Sequence, residues 1–142
     1  MPAASNEILI DRSRLDVFAF LADPENDPQW RTGVLDLRRV SGHGVGACYA
    51  QGVKGPGGRR IAADIKITEL TPGEAIAFDT VAGPVRPRGR YVLAEADGGT
   101  RVRFELEAEV RGMKRLMAPM VQKTMTAEVR QLVRLKEVIE AR

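Results

Sequence analysis

Two hydrophobic rhythms divide this chain. From position 34 to about 111, apolar and polar residues alternate in short runs, the period-two pattern of strands that are buried on one face. From 114 to 142, a stretch of 29 residues without a glycine, apolar residues recur every three or four positions instead. At about 100° per residue, Leu116, Met117, Met120, Val121, Met125, Ala127, Leu132, Leu135, Val138 and Ile139 fall on one side of a helix. Arg115, Gln122, Lys123, Thr126, Arg130, Glu137 and Glu140 fall on the other. The pattern predicts an amphipathic C-terminal helix of roughly 40 Å at 1.5 Å per residue. With no second long helix to pair with, its stripe must be buried against the sheet, which therefore curves around it.

A short strand is predicted at 6–10. Ser13 then reads as an N-cap with Asp16 in the first turn, and Leu15, Phe18, Ala19 and Leu21 or Ala22 recur at helical spacing. Asp23-Pro24 and Asp27-Pro28 punctuate the helix end, each proline suited to the first position of a new short turn, and Trp30 closes the unit. Six further strands are read near 34–41, 45–53, 60–70, 74–82, 87–96 and 101–111. Tight glycine and proline turns join them, so neighbours pair antiparallel. Taking Gly98-Gly99 as a two-residue turn pairs Asp97 with Thr100. It sets Leu93 opposite Phe104 and Tyr91 opposite Leu106 on one face, and Arg90 opposite Glu107 and Arg88 opposite Glu109 on the other. The second set is a ladder of opposite charges, so Arg86, Arg88 and Arg90 read as a solvated face rather than an anion site. The turn at 71–74 sets Ile67 opposite Phe78, both inward. Whether Cys48 or Tyr49 points inward is left open, because a one-residue slip in the 55–58 loop exchanges the faces.

Polar residues interrupt the helical stripe. Thr124, Glu128 and Gln131 project within about 30° of its centre. Buried polar groups need partners, and two readings supply them: a wet or ligand-filled cavity, or a sheet backbone group or arginine in reach. Met113, Met117, Met120 and Met125 cluster at the start of the same helix, either as core filling or as a pliable wall against a varied ligand. Pro119 either kinks the helix or marks its first turn.

Composition narrows the class. At 44% hydrophobic and 29% charged, the chain matches an ordinary globule large enough for one domain spanning 1–142. No apolar run reaches the ~20 residues of a membrane span, and the first residues lack a signal-peptide pattern. The lone Cys48 agrees with a reducing compartment, so a cytoplasmic protein, monomer or homodimer, is expected. A net charge of +3 raises nucleic acid as a partner. The scattered basic residues and seven aromatics offer no stacking platform, and nucleic-acid binding is not expected. One histidine and one cysteine cannot build the usual zinc site, and no metal or cofactor is expected. His43 lies in a glycine turn and reads as a loop residue. The Gly42-x-Gly44-x-Gly46 run is followed by a strand instead of the helix a dinucleotide fingerprint requires.

The order of strand, short helix pair, six antiparallel strands and long C-terminal helix resembles the START-like superfamily with the helix-grip fold. The particular likeness is to its polyketide cyclase/dehydrase and lipid-transport branch. The residues that carry it run from Leu15 through Asp23-Pro24-Glu25-Asn26 to Trp30, with Val45-Gly46, Ile67-Thr68-Glu69-Leu70-Thr71-Pro72, Gly99-Thr100-Arg101-Val102, Leu135-Lys136 and Glu140 in support. The resemblance implies an α+β fold in which a curved antiparallel sheet of about seven strands grips the helix around a cavity. Trp30, Phe78, Tyr91, Met117, Met120, Thr124, Glu128 and Gln131 map to the expected lining. It implies binding of an apolar or amphipathic small molecule of lipid, polyketide or isoprenoid type. The alternative is a cyclase or dehydratase with Glu128 as general acid/base, aided by Tyr91. A lower alternative is a regulatory protein with a vestigial cavity. Inward strand positions read as apolar, and Glu128 is the one clear acid, which favours binding over catalysis.

Overall fold

The structure is a computed structural model describing residues 1–142. Strand β1 (Ala3–Ile10) leads into helix α1 (Arg14–Leu21), whose first turn is capped by Ser13 Oγ accepting from the Asp16 N–H at 3.2 Å. A 3-10 segment, Pro24–Gln29, follows. The sheet then continues through β2 (Val34–Ser41), β3 (Cys48–Lys54), β4 (Arg60–Ala62), β5 (Ile65–Thr71), β6 (Ala75–Thr80), β7 (Arg88–Ala96) and β8 (Gly99–Glu107). A 3-10 lead-in, Gly112–Met117, opens onto α2 (Ala118–Val129) and α3 (Leu132–Glu140). All pairings are antiparallel, in the order β1-β8-β7-β6-β5-β3-β2 with β4 beside β3. The helices lie across β1 and β8, and the inner sheet face wraps toward them. This α+β arrangement is the helix-grip fold.

Alternation along the strands sends Val102, Phe104 and Leu106 of β8, Tyr91 and Leu93 of β7, Ile76 and Phe78 of β6, and Ile65 and Ile67 of β5 into one core. Val121, Met125, Val129, Leu132, Leu135 and Ile139 close it from above. Tyr49 is the inward member of its pair and Cys48 is half-buried, which settles that open orientation.

Three elements depart from the expected layout. The β7–β8 register is two residues tighter, with Ala96 opposite Gly99, Tyr91 opposite Phe104, Arg90 opposite Glu105 and Arg88 opposite Glu107. The turn is Asp97-Gly98, both with positive φ (48° and 79°), as a type I′ hairpin requires. Gly99 is the first residue of β8 and packs so close to β1 that a Cβ there would lie 2.4 Å from the Ile10 carbonyl oxygen, so the position requires glycine. A slip of two residues preserves which face each side chain occupies, so the inward set is unchanged. The ion pairs of the outer face are Arg88 with Glu107 at 2.9 Å and Arg90 with Glu69 at 2.8 Å.

The strand expected over 60–70 is two strands. At the break, Asp64 Oδ1 accepts the Gln51 N–H at 3.2 Å, replacing a ladder bond. The C-terminal helix is likewise two helices. Gln131 donates its N–H to Glu128 O at 3.0 Å, an i→i−3 bond that tightens one turn. Upstream of this break the buried ridge is Val121, Met125 and Val129, spaced by four, and downstream it is Leu132, Leu135 and Ile139. Both ridges fall on one side of a continuous wheel. The expected stripe is centred off it because it also counts apolar residues at its edge and in the 3-10 lead-in: Met120 is 51% exposed, Leu116 is 82% exposed, and Thr124 and Ala127 are exposed.

Hydrogen bonds between these helices and β1 close its free edge. Gln122 Nε2 donates to Ala3 O at 2.6 Å and its Oε1 accepts the Ala3 N–H at 2.9 Å. Asn6 Nδ2 donates to Val129 O at 3.2 Å, and Lys136 Nζ donates to Leu9 O at 2.7 Å.

Candidate functional site

The segment after α1 builds the site. Asp23 Oδ1 accepts the Glu25 N–H at 3.1 Å and starts the 3-10 turn. The Asp27 carbonyl at its end receives the N–H groups of Trp30 at 3.0 Å and Arg31 at 2.8 Å. That short turn sends two large side chains into the core: Trp30 is fully buried, and Arg31 retains only 4% of its surface.

Burying a guanidinium costs several kcal/mol unless it is paired and hydrogen-bonded. Arg31 Nη1 donates to Asp27 Oδ2 at 2.9 Å and to Gln51 Oε1 of β3 at 3.1 Å. Arg31 Nε donates to Glu128 Oε1 at 2.9 Å, and Nη2 donates to the same oxygen. Gln51 Nε2 in turn donates to Ala63 O at 2.9 Å. One side chain thereby ties the 3-10 turn, the sheet and the last turn of α2 together. Burial pushes the Asp27 carboxyl up from 3.8 to about 6, with Arg31 pulling against that rise. Burial alone would lower the Arg31 guanidinium, but Glu128 and Asp27 outweigh it and hold it well above its ordinary value.

An aromatic wall adjoins this network. Tyr91 stacks on Phe104 with centroids 4.4 Å apart, Trp30 meets both edge-on at 6.2 and 6.1 Å, and Phe78 lies 6.4 Å from Tyr91. Tyr91 is near enough to Asp27, Arg31 and Glu128 to feel their charges. Burial first, then Asp27, raises its phenol well above its usual range. Two polar atoms of this wall, Tyr91 Oη and Trp30 Nε1, are buried without a hydrogen-bond partner. Such orphans are uncommon in folded proteins and each calls for an explanation. Arg31 uses four of its five N–H groups, leaving one on Nη2. The unused groups beside the wall are therefore donors, suited to an oxygen acceptor.

Of the residues expected from the sequence, Trp30, Phe78 and Tyr91 meet in this core. Glu128 and Gln131 are half-buried and face the same segment, Glu128 through Arg31 and Gln131 through Thr32 Oγ1, which donates to Gln131 Oε1 at 3.2 Å. Met117 is half-buried against the core, whereas Met120 and Thr124 are exposed, beside the ridge of Val121, Met125 and Val129 that α2 turns inward. Asp27, Arg31 and Gln51 were not anticipated. Asp27 and Arg31 are an opposite-charge pair at i,i+4 flanking the tryptophan, a signal present in the sequence but absorbed by the reading of Asp27-Pro28 as punctuation. Gln51 shares the parity of Tyr49, so the undecided orientation at 48 and 49 concealed it.

A depression of about 680 Å³ lies on the outer sheet face between Arg88, Arg90, Arg103 and Glu107; of the aromatic wall only Phe78 lines it, and none of the polar network does. Those arginines are all paired with carboxylates. No three or more His, Cys, Asp or Glu side chains gather to hold a metal ion. His43 is an exposed loop residue, 3.0 Å from Arg39 Nη1.

The chain belongs to the polyketide cyclase/dehydrase and lipid transport family, matching it over residues 1–140. Among solved structures it is similar to a protein from Thermus thermophilus, with a TM-score of 0.83 and 21% identity covering 99% of this chain and 98% of that one. It is similar to a START superfamily protein from Mycobacterium smegmatis, at 0.80 and 16%, over 98% and 97% of the two chains. It also resembles the di-domain ARO/CYC BexL, at 0.79 and 19%, over 99% of this chain and 47% of that one. At these identities the likeness establishes the START-like fold. No curated protein matches the sequence.

Proposed function

We propose that this protein binds an amphipathic small molecule of lipid, polyketide or isoprenoid type between the inner sheet face and the C-terminal helices, within one ligand-binding domain. The apolar body of the ligand lies against Trp30, Phe78, Tyr91 and Phe104. An oxygen acceptor, a ketone, enol or carboxylate, takes the donors of Tyr91 Oη, Trp30 Nε1 and Arg31 Nη2. The observation that carries this reading is the pair of orphaned donors on an aromatic wall beside a buried arginine. Met117, half-buried against the core, supplies the pliable wall by which the core opens to admit the molecule, with Met120 and Thr124 at its outer rim. The half-buried, unpaired Cys48 accords with the cytoplasm.

Anilinonaphthalene sulfonate, which joins an apolar body to an acidic head, should bind at one equivalent and be displaced by long-chain fatty acids or aromatic polyketides. Tyr91→Phe should weaken binding by roughly threefold to tenfold, the worth of one buried hydrogen bond. The same change should leave the empty protein as stable or slightly more so, since it removes an unsatisfied hydroxyl. Identical affinities for the two proteins, or no binding across the panel, would sink the reading.

A second reading, catalysis of a cyclase or dehydratase type, is favoured by one feature. Both Arg31 bonds to Glu128 converge on Oε1, leaving Oε2 outside the ion pair. In that reading Tyr91 and Arg31 polarise a ketone, and Glu128 takes a proton from the adjacent carbon. Glu128→Gln would then abolish turnover while retaining ligand affinity. Survival of both assigns Glu128 to the structural network.

A further inference from the structure

The positive charge of this protein is concentrated in one place. Residues 110–127 hold Arg111, Lys114, Arg115 and Lys123 with no acidic residue, while the rest of the chain, at 18 Lys and Arg against 19 Asp and Glu, has no net positive charge. The same segment carries exposed large apolar side chains: Met113 at 85%, Leu116 at 82% and Met120 at 51%. These side chains stand out from the 3-10 lead-in and the first turn of α2. Lys114 Nζ donates to Pro84 O at 2.8 Å, joining the segment to the β6–β7 connection, where Val81 is 42% exposed and Arg86 is exposed. Arg111 pairs with Glu109 at 2.7 Å, but Arg86, Lys114, Arg115 and Lys123 lie within ion-pair distance of no carboxylate. Along the outer face of β7 and β8, by contrast, Arg88, Arg90, Arg101 and Arg103 are all paired with carboxylates.

We propose that this end of the molecule docks on an anionic lipid bilayer, with Met113, Leu116 and Met120 entering the headgroup region and Arg86, Lys114, Arg115 and Lys123 facing the lipid phosphates. Apolar side chains that protrude singly from a convex turn need a deformable apolar medium. A folded protein partner would have to offer a separate pocket for each. Unpaired cations around such tips are the arrangement of interfacial binders, whose affinity combines buried apolar area with attraction to anionic headgroups. Each basic residue near an anionic surface is worth about fivefold in partitioning. Four of them with three apolar tips give reversible association, in a chain with no helix long and apolar enough to cross a membrane. The site lies apart from the buried network of Asp27, Arg31 and Glu128, and the proposal holds whether or not that network binds a ligand.

Co-sedimentation with vesicles of phosphatidylcholine alone, and of phosphatidylcholine with phosphatidylglycerol in equal parts, tests it. The protein should bind the anionic vesicles, leave the neutral ones largely unbound, and be released by raising the salt concentration. Leu116→Glu, and separately the pair Lys114→Glu and Arg115→Glu, should each lower anionic-vesicle partitioning about tenfold or more. Arg101→Glu, at the opposite end of the sheet, should leave it unchanged. Because Trp30 is fully buried, a Leu116→Trp variant adds one surface reporter, whose emission should shift to the blue on anionic vesicles. Equal partitioning to both vesicle types, no effect of Leu116→Glu, or no spectral shift in Leu116→Trp overturns the proposal. So does salt-sensitive binding to soluble polyglutamate that Leu116→Glu abolishes without any vesicle association, which would assign the patch to an acidic protein.

Discussion

Arg31 carries more structural consequence than any other charged side chain, because it is buried and answers to three elements at once. Replacing it with methionine leaves the Asp27 carboxylate buried and unpaired, a change of about 3–5 kcal/mol at neutral pH. The Asp27 carboxyl, raised from 3.8 to about 6, fixes how that cost varies with pH. A raised folded-state value means the protonated form favours folding. Its contribution is fully present below about 4 and is lost as pH rises through about 6, a change of about 3 kcal/mol from this one group. Urea unfolding of Asp27→Asn should lack that component, so its stability relative to the parent should improve between pH 4 and 7. In Arg31→Met the penalty should be smaller at pH 4 than at pH 7, because Asp27 can take up a proton. Equal penalties at both values would mean the carboxylate is solvated in the variant. At this scale the sequence was half legible. Phe78 and Tyr91 could be placed inside because aromatic residues at alternating strand positions have one place to go, and the family resemblance places Trp30 there. The polar members could not, since an aspartate beside a proline and an arginine beside a tryptophan are read locally as turn and surface. Only the tertiary approach of Glu128 and Gln51 makes a buried guanidinium tolerable. The Thr124, Glu128 and Gln131 triplet did call for partners, and an arginine is what the structure supplies to Glu128.

Among the elements, the β7–β8 hairpin tests whether register or face matters more. Tyr91 and Phe104 stack directly across it. Phe104→Ala should cost roughly 3–5 kcal/mol, while Arg90→Ala, which breaks an exposed pair with Glu69, should cost under about 1 kcal/mol. Gly99→Ala places a methyl group against the Ile10 carbonyl, and moving β1 to accommodate it should cost about 1–3 kcal/mol in thermal or urea unfolding. A Gly99→Ala protein as stable as the parent would show that the end of β1 yields freely. Strand existence and inward parity were readable because period two survives a register slip of two residues. The choice between Asp97-Gly98 and Gly98-Gly99 as the turn was not, since both dipeptides suit a type I′ turn. The C-terminal helix misled for a different reason: Leu116, Met120 and Ala127 are apolar yet exposed, and counting them drew the centre of the stripe away from the ridge of Val121, Met125 and Val129 that faces the core.

At the scale of the whole molecule, the grip of sheet on helix begins and ends with the chain's distant parts. The bonds from Gln122 to Ala3 span 119 positions, and the bond from Lys136 to Leu9 spans 127. During synthesis, therefore, β1 emerges long before the side chains that will close its free edge. Until α2 and α3 leave the ribosome, the nascent chain holds a sheet with an unprotected strand and an uncovered apolar face, the features that invite strand addition from a neighbouring chain. Deleting α3 should consequently yield aggregates rather than a trimmed soluble fold, visible as loss of the monomer peak in size-exclusion chromatography. Long-range closure of this kind is also slow, so refolding of the full chain should give a markedly higher yield at low protein concentration, where self-association does not compete with the arrival of the last two helices.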